Sequence, residues 1–142
     1  QHLPRLGQAY LVSGDDDYAS ECVDQIRHWC GANPWPRGVN WVCAMDVAIR
    51  AVNWIWSLAF CIRSPAVSTC FIEEVATSLL IHGRHVYRNL EGSPENSYTS
   101  NHYLSNLVGL IYLGACCPFL RESQKWLDTG WRQLHREVAK QI

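Results

Sequence analysis

Residues 98–118 read YTSNHYLSNLVGLIYLGACCP, and the rest of the chain is organised around them. A polar Asn-His pair opens a mostly apolar segment, in which Asn101, Ser105 and Tyr112 fall on one face at helical spacing. Burying an unpaired amide or imidazole costs about 1 to 3 kcal/mol. We therefore predict a helix whose polar line forms the floor of a wet cleft. Ser100 or Asn101 can also cap the start of this helix, and the two roles are compatible.

The composition indicates one domain with no strongly charged partner. The chain has 142 residues, with 12 Lys and Arg against 13 Asp and Glu. A near-neutral balance lacks the basic surface that binds nucleic acid or an anionic membrane, so neither partner is predicted. Seven Trp and six Tyr either fill a large core or line a groove for sugars.

The seven cysteines show no spacing typical of a metal site. There is no C-x-x-C pair, and His28 with Cys30 lacks a second pair of ligands. The cysteines lie mostly among apolar helical neighbours, which predicts small buried side chains. We therefore predict no metal ligand and no cofactor for this chain, and leave the cofactors of any longer protein and its compartment open.

Capping and breaking residues delimit further helices. The predicted ranges are 3–12, 18–30, 42–62, from Ser68 or Thr69 to 90, and from 119 to 142. The helix over 42–62 is apolar on most of its circumference, but Asp46, Arg50 and Asn53 interrupt it, so we predict a buried helix and not a membrane span. In the last helix, the predicted inner face consists of Leu127, Trp131, Leu134 and Val138.

A polar stripe runs along the helix over 42–62. It consists of Asp46, Arg50, Asn53 and Ser57, and Asp46 can pair with Arg50 at i, i+4. The alternative is a solvated outer edge of that helix. On the next helix, His82 follows Leu79 on the packed side, which favours a core histidine over a catalytic one.

The segment from Trp35 to Trp41 holds two prolines and a glycine, so it is predicted to be an ordered loop or extended segment. Each of its two tryptophans can plug the end of the helical core or serve as a platform for a sugar ring.

Together the pattern predicts an all-α fold of about six helices joined by short loops, which makes sequential helices antiparallel hairpins. The polar stripes fall on the third and fifth helices. Alternate helices that form an inner layer around a shared concavity are typical of part of an (α/α) toroid, an incomplete barrel.

Several ordered motifs resemble the helical domain of the heparinase II/III-like polysaccharide lyases, a family that includes alginate and heparin lyases. The motifs are residues 33–41 (NPWPRGVNW), 45–50 (MDVAIR), 53–54 (NW), 82–83 (HG), 89–91 (NLE), 100–104 (SNHYL), 109–110 (GL) and 114 (G). One departure is Asp46, where the family pattern leads us to expect Glu.

The resemblance implies a lyase that cleaves uronic-acid-containing polysaccharides by β-elimination. It makes Asn101 the group that neutralises the substrate carboxylate and His102 its catalytic neighbour. It also suggests that Arg50 binds acid groups of the substrate. The remaining residues suggested for substrate binding are Trp35, Asn40, Trp41, Asn53 and Tyr98.

The resemblance also implies that residues 1–142 are a single helical domain and a fragment of a longer protein. The family's general acid and base, a tyrosine, and its C-terminal β-sandwich would lie beyond residue 142. The chain alone is then expected to be inactive, with an exposed apolar edge that docks against the rest of its own chain. Members of the family are often exported, which slightly favours a bacterial periplasmic or secreted protein.

Two other hypotheses use the same residues. A helical module could bind acidic glycans without any chemistry. Alternatively, the polar stripes could form a satisfied core network, which requires Asn101, Asp46 and Arg50 to be buried and bonded to one another.

Overall fold

The structure, a computed structural model, describes residues 2–92 and 100–141. Within these ranges it contains helices and no strand. The helices are α1 Leu3–Ser13, α2 Asp16–Ala32, the short 3-10 helix η1 Val39–Trp41, α3 Ala44–Cys61, α4 Thr69–Arg88, α5 Asn101–Cys116 and α6 Ser123–Gln141. The predicted all-α class is confirmed, and each predicted α-helix is found with ends displaced by about one turn or less.

Short polar residues set the starts of the helices. The Ser68 hydroxyl accepts the Phe71 N–H at 3.2 Å at the start of α4. At the start of α5, the Ser100 hydroxyl accepts the Tyr103 N–H at 3.2 Å. These bonds satisfy backbone donors that have no partner within the helix. The predicted capping role of Ser100 is therefore confirmed.

The helices pack in two layers. Helices α1, α3 and α5 lie side by side, while α2 packs on α1, α4 packs on α3 and α5, and α6 packs on α5. Outside the row, Arg27 of α2 pairs with Glu74 of α4 at 2.8 Å. Alternate helices thus form one layer, as predicted for part of a toroid.

Glycines allow the closest contacts between layers. A Cβ atom on Gly109 of α5 would lie 2.6 Å from the Ala48 Cβ of α3, and one on Gly114 would lie 2.7 Å from the Leu127 Cβ of α6. Real Cβ atoms do not approach so closely. These two glycines therefore bring α5 against both neighbours and place its N-terminus beside the start of α3.

The predicted inner face of α6 is wrong in part. Trp131 and Val138 are exposed, whereas Trp126 and Glu137 are buried. Helix α6 packs on α5 through Gly130, where a Cβ atom would lie 2.7 Å from the Ile111 Cγ1 atom. This close approach of Gly130 to α5 turns the apolar stripe that includes Trp131 towards solvent.

The cysteines differ from the prediction at two positions. All seven are free, but Cys70 and Cys116 are exposed, while Cys22, Cys61 and Cys117 are buried. Exposed cysteines at helical positions are not distinguishable by sequence periodicity from buried ones.

No helix within residues 2–92 and 100–141 combines the length and the hydropathy that a membrane span requires.

Candidate functional site

Three parts of the chain that are far apart in sequence meet at the N-terminal end of α5. We call this the Glu91 cluster, defined by Cys43, Glu91, His102 and Asn106. Cys43 immediately precedes α3, Glu91 follows α4, and His102 lies in the first turn of α5. The Glu91 Oε1 atom lies 3.2 Å from the His102 Nδ1 atom, and the Cys43 thiol donates to the same oxygen at 3.6 Å.

The Glu91 carboxylate is held by hydrogen bonds from fixed groups. Its Oε2 atom accepts the Met45 backbone N–H at 2.7 Å and the Asn106 amide at 3.4 Å. The side-chain carbonyl oxygen of Asn106 in turn accepts the Glu91 backbone N–H at 2.8 Å. Asn106 is fully buried, so Glu91 has a rigid support beneath it.

These contacts keep Glu91 ionised. Partial burial acts to raise the pKa of the Glu91 carboxyl, but the hydrogen bonds from His102, Met45 and Asn106 outweigh it and lower the pKa below its usual value. Hydrogen bonds to the charged form favour that form. The cluster therefore presents a carboxylate to the imidazole at neutral pH.

The protonation of one His102 ring nitrogen, Nδ1, follows from its partner, the Glu91 carboxylate. A carboxylate only accepts, so Nδ1 carries a proton when it bonds to Glu91. Side-chain exposure is 42% for His102 and 29% for Glu91, so solvent reaches the pair. Asn101 lies beside them, exposed, and its amide has no hydrogen-bond partner among residues 2–92 and 100–141. The two predicted catalytic residues thus lie at an accessible helix start.

A second group, which includes the predicted substrate-binding residues Trp41 and Arg50, forms a closed arrangement. We call it the Arg50 cluster, defined by Trp29, Trp41, Arg50, Trp54 and His82. The Arg50 Nε–H donates to His82 Nε2 at 2.9 Å, and one terminal N–H donates to the Asn40 carbonyl at 3.2 Å. The guanidinium carbon lies 4.0 Å from the Trp29 ring centroid and 4.9 Å from that of Trp41. These contacts combine hydrogen bonds with cation–π stacking.

Burial controls the charges in the Arg50 cluster. Burial, and after it the neighbouring Arg50 cation, lower the pKa of the His82 imidazole to about 3. Burial also lowers the pKa of Arg50 to about 10, so this side chain stays cationic at neutral pH. His82 is fully buried and donates its Nδ1–H to the Ser78 carbonyl at 2.7 Å, which agrees with its predicted role as a satisfied core histidine.

The Asp46–Arg50 ion pair that the helical spacing allowed is not formed. Arg50 donates to His82 and Asn40 instead, and Asp46 is exposed. The planar guanidinium is held against two indole rings, which takes it away from the carboxylate one turn earlier.

The two loop tryptophans have opposite environments. Trp41 is 5% exposed, and its indole N–H donates to the Asn33 carbonyl at 3.0 Å. Trp35 is 48% exposed. Trp41 therefore plugs the end of the core and has little surface left for a sugar ring, whereas Trp35 has a free surface for one.

A groove of about 470 Å³ lies between α3 and α5, and it is lined by Asn53 and Ser105 together with apolar side chains. One residue of each predicted polar line, Asn53 on α3 and Ser105 on α5, thus lines this groove. The Asn53 amide also donates to the Ile49 carbonyl at 2.9 Å. Asn40 is exposed and donates to Asn33 at 2.6 Å, while Tyr98 lies outside the described residues.

The condition for a purely structural core network is not met. Asn101 and Asp46 are exposed, and neither bonds to Arg50 in the described part of the chain.

Of the predicted site residues, the fold brings His102 to Glu91 and Arg50 to Asn40 and Trp41. The segment 40–43 links the two clusters, because Asn40 contacts Arg50 and Cys43 contacts His102.

Sequence reasoning missed Cys43, Glu91 and Asn106 as site residues. Glu91 stood in a motif quoted for the family resemblance, so a signal existed. No sequence signal marked Cys43 or Asn106 as a site residue, because Cys43 lies 48 positions from Glu91 and Asn106 lies 15 positions from it. No local spacing marks such pairs.

Comparison with known proteins identifies the family. A family model described as Heparinase II/III N-terminus matches residues 1–142. Heparin-sulfate lyase of Bacteroides stercoris is 25% identical over 157 residues, which cover 96% of this chain and 23% of the relative. Heparin-sulfate lyase of Pedobacter heparinus is 25% identical over 142 residues, covering 96% of this chain and 20% of the relative.

The fold agrees with a solved structure of a heparinase III gene product. Its TM-score is 0.85 with 26% sequence identity, and the match covers 99% of this chain and 24% of that one. The chain thus spans about a fifth to a quarter of the length of the proteins it matches. By its match over the full 142 residues, the chain belongs to the heparinase II/III family, as the N-terminal portion that this family model describes.

Proposed function

We propose that this chain is the helical portion of a polysaccharide lyase that cleaves uronic-acid-containing polysaccharides, with heparan-type glycans as the substrate class. Family membership and relatives named heparin-sulfate lyase support this proposal. The observation that carries it is the pairing of the exposed Asn101 with the Glu91-held His102 at the start of α5.

The proposed reaction is a β-elimination. A base removes the proton on the carbon next to the uronate carboxyl, the bond to the glycosidic oxygen breaks at the adjacent carbon, and a carbon–carbon double bond forms. Negative charge builds on the carboxylate as the proton leaves, so donors aimed at that group stabilise the transition state. The Asn101 amide is such a donor and cannot ionise, so it remains neutral throughout.

His102 is proposed to act beside Asn101. Its Nδ1–H bonds to the Glu91 carboxylate at 3.2 Å, which fixes the ring and its tautomer and leaves Nε2 for the substrate. A carboxylate behind an imidazole also stabilises the imidazolium form that results when Nε2 takes up a proton. The family resemblance assigns the principal acid and base to a tyrosine beyond residue 142.

The sugar subsites are proposed to extend from this point along the α3–α5 groove, past Asn53, and towards the loop that carries Trp35 and Asn40. Trp35 offers an exposed ring for stacking. Arg50 keeps its charge beside Asn40 and is proposed to attract the acid groups of the polymer. Tyr98 is retained as a proposed sugar contact from the sequence alone.

The proposal is tested by the ultraviolet absorbance of the unsaturated product. The full-length protein that contains this chain is assayed on heparan sulfate, heparin, alginate and other uronate polymers. We expect product from a uronate polymer and a loss in kcat of about 10²- to 10³-fold in Asn101→Ala, as for removal of one transition-state donor. The melting temperature should not change, because Asn101 is exposed and its side chain has no hydrogen-bond partner in the described part of the chain.

The control is Asn89→Ala, an exposed asparagine at the end of α4 whose side-chain amide, within the described residues, donates to the His85 carbonyl at 2.8 Å. It should retain full kcat. A wild-type protein that binds a uronate polymer but forms no product from any of them would replace the lyase proposal with a binding module. An Asn101→Ala variant as active as wild type would remove Asn101 from the site.

A further inference from the structure

The Glu91 cluster gathers three different side chains that bind metal ions. The Cys43 sulfur, a Glu91 oxygen and a His102 nitrogen all lie within 4.8 Å of one another. The Glu91 Oε1 atom is 3.2 Å from His102 Nδ1 and 3.6 Å from Cys43 Sγ, and the sulfur is 3.9 Å from the same nitrogen. The three ligating atoms thus form a small triangle.

This triangle has the size of one face of a zinc tetrahedron. With zinc bonds of about 2.0 to 2.3 Å, the nitrogen, oxygen and sulfur ligands of a tetrahedral ion lie about 3.4 to 3.6 Å apart. The observed separations differ from these by a few tenths of an ångström. We propose that Cys43, Glu91 and His102 bind a zinc-class divalent cation whose fourth position is open to solvent beside Asn101.

The support around Glu91 suits this role. Its Oε2 atom is occupied by the Met45 N–H and the Asn106 amide, so Oε1 is the oxygen left to face the ion. Outer hydrogen bonds of this kind orient carboxylate ligands of metals. The buried Asn106 therefore serves the proposed site by holding the carboxylate in place.

The ligand set favours zinc over hard cations. One thiolate, one imidazole and one carboxylate are ligands typical of zinc, whereas magnesium and calcium take oxygen atoms. The charges also balance, because a thiolate and a carboxylate together neutralise a divalent ion. On binding, the Cys43 thiol loses its proton to solvent, and the His102 proton moves from Nδ1 to Nε2, so one proton is released per ion.

The zinc site does not depend on the proposed lyase function, but the two use His102 differently: with the ion on Nδ1, Nε2 carries a proton and can only donate to a substrate. It is measured by binding in the absence of polysaccharide. The lyase proposal is tested at Asn101, which is not a proposed ligand. Either proposal can fail while the other stands.

The experiment is a titration of the chelator-treated full-length protein with Co²⁺ and then Zn²⁺. We expect the wild-type protein to bind one more equivalent of metal ion than either variant, Cys43→Ser or His102→Gln. We also expect a thiolate-to-cobalt charge-transfer band that is absent in Cys43→Ser, and release of about one proton per ion at this site. Serine is a good residue before a helix, so Cys43→Ser should fold like wild type.

Cys70→Ser is the matched control, because Cys70 is an exposed thiol 3.3 Å from the carboxylate of Glu74 and far from His102 in sequence. It should retain the charge-transfer band and the full metal content. Equal metal content in wild type, Cys43→Ser and His102→Gln would overturn the proposal, as would loss of the band in Cys70→Ser.

Discussion

The Arg50 cluster and the Glu91 cluster each place a histidine beside a charged partner, but with opposite consequences. His82 is fully buried beside a cation, and its pKa falls to about 3. His102 is 42% exposed beside a carboxylate. Desolvation and a nearby positive charge both disfavour the imidazolium form of His82.

The comparison teaches that neighbours decide a histidine's role more than its helix does. Both histidines lie on α-helices, His82 on α4 and His102 on α5, and both bond through ring nitrogens. The indoles of Trp41 and Trp54 close over His82, with ring centroids 4.8 and 5.1 Å away. Within residues 2–92 and 100–141 no aromatic ring covers His102, whose side chain is 42% exposed, so it can meet a substrate or a metal ion.

The largest effect is expected from opening the Arg50 cluster. Trp54→Ala should lower the free energy of unfolding by about 3 to 5 kcal/mol, because it leaves a cavity beside Trp29 and His82. Urea unfolding at pH 7 measures the change. The exposed Trp35 is the matched control, and Trp35→Ala should change the free energy by no more than about 0.5 kcal/mol. An equal loss in the free energy of unfolding for Trp54→Ala and Trp35→Ala would contradict the conclusion that the Arg50 cluster is closed to solvent.

The next effect is a pH dependence of stability to which the fully buried His82 should contribute most, with a smaller contribution from His85, whose pKa is also lowered by burial and by Arg50. The pKa of His82 is lower in the folded protein than the ordinary value of 6.5, so the unfolded chain binds the proton first as the pH falls. The stabilising effect of a neutral His82 is fully present above pH 6.5 and is lost as the pH falls towards about 3. The slope should reach about 1.4 kcal/mol per pH unit.

His82→Gln should flatten that slope while keeping an oxygen that accepts from Arg50. Urea unfolding between pH 7 and pH 4 gives the comparison, and His28→Gln, at an exposed position of α2, should leave the slope as in wild type. An unchanged slope in His82→Gln would assign the acid sensitivity to other groups.

The smallest effect is expected at the open Glu91 cluster. Glu91→Gln should lower the free energy of unfolding at pH 7 by about 0.5 to 1.5 kcal/mol, the usual worth of a hydrogen bond. The pKa of Glu91 is lowered in the folded protein, so its contribution is present above the ordinary value of 4.5 and is lost as the pH falls below it. The gap between wild type and variant should therefore close in acid.

Glu73→Gln is the control for this prediction, since Glu73 is exposed on α4 and its side chain makes no hydrogen bond within the described residues. It should match wild type at every pH. A gap for Glu91→Gln that persists unchanged at pH 3 would show that the carboxylate charge is not what stabilises the cluster.

Helix positions were predictable because their signals are local. Ser68 and Ser100 were identified as possible caps, and both accept the expected backbone N–H. The apolar content of 42–62 predicted a buried helix, and α3 packs against α1, α4 and α5. The layer arrangement also followed, since short loops and polar stripes on alternate helices allow few architectures.

The orientation of α6 was not predictable in the same way. Periodicity correctly identified an amphipathic helix but selected the face with Trp131 as the inner one. The close contact of Gly130 with Ile111 turned a different face inwards. A glycine contributes nothing to a hydrophobic pattern, although it decides how near two helices can come.

What the sequence by itself determined is the helical class, the helix ends, the core role of His82 and the Asn101–His102 pair at the start of α5, because each depends on residues a few positions apart. Only the tertiary structure decided that Trp41 is buried while Trp35 is exposed, that Arg50 bonds to His82 and not to Asp46, and that Cys43 and Glu91 meet His102. Those contacts join residues 11 to 59 positions apart or depend on what covers a ring. Long-range packing sets them, and no local periodicity carries that information.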